Sequence, residues 1–155
     1  MFLDIKRKRE IDKVVSSILT ETGLSMPSNS LNELCKRLNI KIGASKLLNS
    51  GDSGVAFNDD YGALIVVNKK DSVVRQYFTL AHELGHIILG HIEKGKNSAI
   101  FRSQYFDYSE DTPARRYEME ANYFAAVLLV PEKELFWALD KSNNDINVVA
   151  KYFGV

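Results

Sequence analysis

Residues 79–91 read TLAHELGHIILGH, and this stretch restricts the fold of the chain more than any other. His82 and His86 stand four positions apart in a segment otherwise dominated by Leu80, Leu84, Ile87 and Ile88. An α-helix turns about 100° per residue, so the two imidazoles fall about 40° apart on one face. A largely apolar helix must be buried, and a buried imidazole needs a partner. The rest of the chain therefore has to wrap this helix and bring a polar or metal-ligating group to the two rings. Gly85, between them, leaves room for close approach of backbone or substrate, at some cost in helix propensity.

His82-Glu83-Leu84-Gly85-His86 is an H-E-x-x-H pattern, in which both imidazoles reach one zinc ion and the glutamate acts as general base. Glu83 follows the first ligand and is offset from the metal direction, toward the water that a base must deprotonate. The remaining histidine, His91, would lie about 140° around a continued helix from His86 and about 180° from His82, facing away from the metal. Nor does it fit H-E-x-x-H-x-x-G-x-x-H, because Leu89 and Ile92 hold the positions of the glycine and the last histidine. His91 reads instead as a helix C-terminal histidine.

Cys35 is the only cysteine, which excludes a thiolate cluster. The third ligand is then a carboxylate, and two histidines with one glutamate leave a coordination position open, as catalytic zinc sites do. The donor segment is RRYEMEANYFAAVLLVP, residues 115–131. Glu118 and Glu120 there point about 200° apart, so one of them faces the metal. Glu118 is preferred, because Asn122 one turn later shares its face and offers a group to orient a histidine. Glu120 is the second candidate, and otherwise a surface carboxylate paired with a nearby arginine. One zinc ion per chain is the expected cofactor, although imidazole and carboxylate also serve iron, cobalt or nickel.

The wider pattern is α+β in a single domain spanning residues 1–155, a length that supports one core. Residues 1–70 should form two helices and a small sheet of three strands or slightly more. Ile11, Val14, Val15, Ile18 and Leu19 mark a helix over about residues 5–21, ended by Gly23. Ser28-Asn29-Ser30 offers an N-cap for a second helix carrying Leu31, Leu34, Cys35 and Leu38, where Cys35 is a small core residue. Strands follow at 40–44, 53–58 and 63–68, the last a continuous β-branched run as in a strand inside a sheet, and the last two joined as an antiparallel hairpin through the turn at 58–62. An extended substrate could add to the edge of the strand at 63–68. Residues 71–91 form the H-E-x-x-H helix, stopped at Gly90. Residues 92–112 lose periodicity and carry an aromatic group (Phe101, Tyr105, Phe106, Tyr108), so they read as an irregular loop or lid. Residues 113–155 hold the third-ligand helix, entered at Pro113 and broken by Pro131, and two further helices.

Charge and targeting narrow the function. Twenty basic and twenty acidic residues cancel, so no global field favours nucleic acid or an anionic membrane. The run Lys6-Arg7-Lys8-Arg9 reads as a solvated helical turn. The start MFLDIKRKRE lacks a secretory apolar stretch and no segment is long enough to span a bilayer, so a reducing cytoplasm is expected. Residues 147–155, NVVAKYFGV, are similar to the start of a helix-turn-helix, but no recognition helix follows and direct nucleic-acid binding is not expected.

FTLAHELGHIILGH, followed some thirty residues later by YEMEANYFAAVLLVP, resembles the ImmA/IrrE family of zinc metallopeptidases. In that family F-T-x-A-H-E-L-G-H is paired with E-x-x-A-N/D-x-F-A-x-x-L-L-x-P, and the chain matches both blocks. LNELCKRLNIKI and NVVAKYFGV carry the resemblance more weakly across most of the remainder. It implies a zincin-like, gluzincin-type peptidase domain with His82, His86 and Glu118 on zinc and Glu83 as base. It also implies a regulatory role, cleavage of a helix-turn-helix repressor of a mobile element or stress response. Tyr105, Tyr108, Arg115 and Arg116 are the candidates for stabilising the oxyanion or holding substrate. The competing reading is a metal-binding regulator that docks on a repressor or other protein without cutting it.

Overall fold

The computed structural model describes residues 2–92, 99–103 and 112–155. The chain runs α1 (Ile5–Thr22), α2 (Leu31–Arg37), β1 (Ile40–Ser45), β2 (Asp52–Asp59), β3 (Gly62–Asn68), α3 (Val73–Ile88), β4 (Ala99–Ser103), α4 (Pro113–Leu129), α5 (Glu132–Lys141) and α6 (Ile146–Phe153). This is the expected α+β class. The helices begin where side-chain oxygens can take up free backbone N–H groups: Asp4, Ser30, Ser72, Thr112 and Asp145 all cap in this way. Gly23, at φ 66°, closes α1 in the left-handed conformation that glycine adopts without strain.

The sheet has the order β1-β3-β2-β4. β2 and β3 form the antiparallel hairpin, β1 runs parallel to β3, and β4 runs antiparallel to β2. Two expectations change here. Residues 92–112 are not irregular throughout, since 99–103 add a fourth strand, with a register shift opposite Asp52 and Gly54. β3 is not an edge strand either: it is paired on both sides, and among the described residues the outer strands are β1 and β4. Its continuous run of Leu, Ile and Val is the composition of a strand enclosed within a sheet.

α3 is the centre of the molecule. It packs on β2 and β3 on one side and on α4 on the other, while α1 covers α4 and α2 lies against β1. With neighbours all around, every residue from Thr79 to His86 is buried, so the middle of α3 is a core helix without a solvent face. Ile11, Leu34, Ile65, Leu84, Phe124 and Leu128 belong to the same core and are fully enclosed. Cys35 sits among them. α5 and α6 make a smaller cluster around Ala138, Val149 and Phe153.

Two glycines set the spacing around α3. A Cβ on Gly54 of β2 would lie 2.5 Å from Thr79 Cγ2 and 3.3 Å from Glu83 Cγ, so the bare glycine lets the sheet close on the helix beside Glu83. A Cβ on Gly85 would lie 3.0 Å from the Phe124 ring and 3.3 Å from Ala121 Cα. The close approach expected at Gly85 is therefore made by α4, the helix that carries Glu118.

Candidate metal centre

One turn of α3 presents the two imidazoles to one turn of α4. His82 Nε2 and His86 Nε2 are 3.0 Å apart. Glu118 Oε2 lies 3.2 Å from His82 Nε2, and Glu118 Oε1 lies 3.1 Å from His86 Nε2. Both rings are fully buried and Glu118 is 4% exposed. Burial alone would raise the Glu118 carboxyl, but the two histidines that face it hold it down to about 2, so it is an anion. Glu83, also fully buried, lies on the side of α3 facing β2, within reach of the space that Gly54 leaves open.

The outer nitrogens of the rings determine what the inner ones can do. His82 Nδ1 is 2.9 Å from Asn122 Oδ1, an acceptor, so a neutral His82 carries its proton on Nδ1 and has a lone pair on Nε2. His86 Nδ1 is 2.9 Å from His91 Nδ1. His91 Nε2 is in turn 3.0 Å from Glu120 Oε2, and the ring stacks on Tyr117 with centroids 4.3 Å apart. Burial is the main influence on His91 and takes it down to about 4 despite the hydrogen bond to Glu120, so the ring is neutral near pH 7. Two imidazole lone pairs and a carboxylate then face one another at 3.0–3.2 Å. Such a set of electron-pair donors repels itself until a proton or a metal cation stands among them. The donor chemistry, two imidazoles and one carboxylate with one ligand atom from each all within 4.8 Å of one another, fits a divalent metal ion.

Glu120 is outside this triangle. It is buried rather than on the surface, and its Oε2 accepts from Arg7 Nη2 at 2.6 Å and from His91 at 3.0 Å. Burial opposes its ionisation, but Arg7 and His91 outweigh it and hold the carboxyl below its ordinary range. Arg7 is thus not part of a fully solvated basic turn. His91 also departs from expectation, for it turns back onto His86 instead of facing away. α3 stops at Leu89, Gly90 adopts φ 75°, and His91 N–H donates to His86 O at 3.0 Å, reversing the chain. Gly90 was the available signal, because a glycine in this position ends the 100° progression from which His91 was placed.

Arg115 is half-buried in the first turn of α4, where its backbone N–H bonds Thr112 Oγ1. Arg116 is exposed and lines a cavity of about 520 Å³ with Phe2, Arg7 and Glu120. Tyr105 and Tyr108 lie outside the described residues, as does most of the segment read as a lid.

An H-E-x-x-H helix packed under a small mixed sheet, with a glutamate brought in from a later helix, is the arrangement of a zincin-like metallopeptidase domain. The chain belongs to peptidase family M78, matching its IrrE N-terminal-like domain over residues 35–155. Among solved structures, a Mycobacterium tuberculosis transcriptional regulator is similar in fold, with a TM-score of 0.63 at 19% identity. The match covers 95% of this chain and 43% of that one, so the chain spans less than half the length of the regulator. Comparison with curated proteins found no match.

Proposed function

We propose that the chain is a zinc-dependent endopeptidase that cleaves a regulatory protein, a helix-turn-helix repressor being the preferred substrate. The observation that carries this reading is the convergence of His82, His86 and Glu118, on two helices, with Glu83 one residue after the first histidine. His82, His86 and Glu118 would hold the ion, which when bound would supply Lewis acidity to a scissile carbonyl and to water. Glu83 takes the proton of the attacking water and passes it to the leaving amine. Asn122 orients His82, and the neighbouring elements exclude bulk water from the base. An extended peptide adds to the outer edge of β4, an outer strand among the described residues and the one beside β2, in place of the enclosed β3. Arg115, Arg116, Tyr105 and Tyr108 remain the candidates for substrate contact.

Membership of a peptidase family supports the hydrolytic part of the reading, and the name of the mycobacterial neighbour supports a regulatory context. No helix among the described residues is long and apolar enough to cross a membrane. The buried free thiol of Cys35 is compatible with a cytoplasmic setting, where a repressor would be met.

The test is to incubate the zinc-loaded chain with candidate helix-turn-helix repressors, those encoded by neighbouring genes first, and follow new peptide termini by mass spectrometry. Cleavage should stop on chelation and in Glu83→Gln, while Glu83→Gln binds zinc as the wild type does. If Glu83→Gln still releases the repressor from its operator in full, docking without cleavage is the mechanism and the proteolytic reading is wrong.

A further inference from the structure

His82 and His86 are anchored unequally. His82 Nδ1 meets a neutral acceptor, Asn122 Oδ1, one turn from Glu118 on the same helix. His86 stands at the end of a line of three contacts that leaves the site altogether: His86 Nδ1 to His91 Nδ1 at 2.9 Å, His91 Nε2 to Glu120 Oε2 at 3.0 Å, and Glu120 Oε2 to Arg7 Nη2 at 2.6 Å. The line joins α3, the turn after it, α4 and α1. The His91 and Glu120 side chains are only 2% and 8% exposed, and Arg7 emerges at the surface with 33% exposure.

The chemistry of the four groups gives the line a direction. A guanidinium only donates and a carboxylate only accepts, so the proton between Glu120 and His91 sits on His91 Nε2. With that proton on Nε2, the other ring nitrogen, Nδ1, is the acceptor that His91 presents 2.9 Å from His86 Nδ1. His86 Nδ1 therefore donates, and its Nε2 is left as a lone pair facing His82 and Glu118. Tyr117 stacks on His91 at an interplanar angle of 12° and keeps the ring in this orientation. Burying such polar groups costs free energy unless every link is made, and packing alone would be served as well by apolar side chains.

We propose that Arg7, Glu120 and His91 form a positioning chain that holds His86 as an Nε2 ligand and makes the metal affinity of the centre depend on the N-terminal helix. The inference rests on the metal-centre reading above. Hydrogen bonds to the outer nitrogen of a ligating histidine fix its ring and raise its basicity, and their loss lowers metal affinity by about 10–100-fold. The imidazole behind His86 is itself held by a hydrogen bond to the charged Glu120, which Arg7 fixes in turn, so the His86 ring is tied to α4 and α1 as well as to its own helix.

The test compares zinc affinity, by competition with a chromophoric chelator, in the wild type, His91→Phe and Arg7→Met. The His91→Phe variant keeps an aromatic ring against Tyr117 but cannot bond His86. Its affinity should fall about 10–100-fold. Arg7→Met, at a surface-reaching side chain remote from the ligands, should lose affinity severalfold, a change that packing alone does not produce. In nitrogen-15 spectra of the zinc-loaded wild type, His86 should show a protected Nδ1 proton and a metal-bound Nε2. That protection should vanish in His91→Phe. Wild-type affinity in both folded variants overturns the proposal, and if His91→Phe does not fold, Arg7→Met decides it alone. A wild-type chain that binds no zinc at all would instead remove the metal-centre reading itself.

Discussion

Gly54→Ala is the substitution that most directly tests how the sheet is set against the H-E-x-x-H helix. Judged by local propensity it should help, since alanine in place of a strand glycine gains about 0.5–1 kcal/mol. The added Cβ, however, would lie 2.5 Å from Thr79 Cγ2, closer than two carbon atoms can approach, and 3.3 Å from both Glu83 Cγ and Val66 O. Thr79 is fully buried and cannot swing into solvent. Overpacking of this kind typically costs about 1–3 kcal/mol. A 2.5 Å contact on an enclosed side chain belongs in the upper part of that range, about 2–3 kcal/mol, so after the propensity gain the expected net loss is about 1–2.5 kcal/mol. For a chain of this size that lowers the melting temperature by about 2–10 °C. Thermal unfolding followed by circular dichroism reads the change, and the partner substitution identifies its cause. Thr79→Ser keeps the hydroxyl but deletes Cγ2, costing about 0.8 kcal/mol for the lost methyl. The double variant Gly54→Ala/Thr79→Ser should be markedly more stable than the sum of the two single effects allows. Additive losses, or a Gly54→Ala chain as stable as the wild type, would refute the claim that the glycine sets this distance.

Two more expectations follow from the core. Phe124 is fully buried and fills the space that Gly85 leaves between α3 and α4, so Phe124→Ala should cost about 3–5 kcal/mol in urea unfolding. Cys35 is enclosed and burial pushes its thiol up to about 12, from an ordinary value of 9.0. A group whose folded pKa is raised stabilises fully below the unfolded value and loses that contribution as pH rises toward the folded one. The wild type should therefore lose stability more steeply than Cys35→Ala between about pH 9 and 12, and near neutrality a thiol reagent should label Cys35 only on unfolding.

Much of this architecture is legible in the sequence because it depends on neighbours in the chain. The capped starts at Ser30 and Asp145, the hairpin of β2 and β3, and the pairing of His82 with His86 each involve residues within a few positions, where backbone geometry dictates the outcome. The approach of Glu118 to the histidines is more distant, yet two facts made it readable: only two carboxylates were available on that stretch of α4, and they pointed in opposite directions. Strand order had no comparable local signature. β3 looked like a strand suited to an edge or to the interior, and only its pairing with β1, some twenty residues earlier, encloses it. The same holds for β4, five residues whose identity as a strand is conferred by β2.

His91 shows where extrapolation along a helix ceases to apply. A rotation of about 100° per residue holds only while the dihedral angles repeat, and it is valid here as far as the end of α3. At Gly90 a single φ of 75° replaces the helical value, and the next N–H returns to His86 O. That one change takes a ring that would have faced away and brings its Nδ1 within 2.9 Å of His86. Any residue with a side chain would resist this conformation by about 1–2 kcal/mol, so the turn is specified by glycine as much as by packing. Glu120 then acquires a role that its own helix does not reveal. On α4 alone it points away from His82 and His86, as expected of the carboxylate on the other side of the helix from Glu118. With His91 folded under it and Arg7 above it, the same direction makes it the link between the first helix and the second histidine.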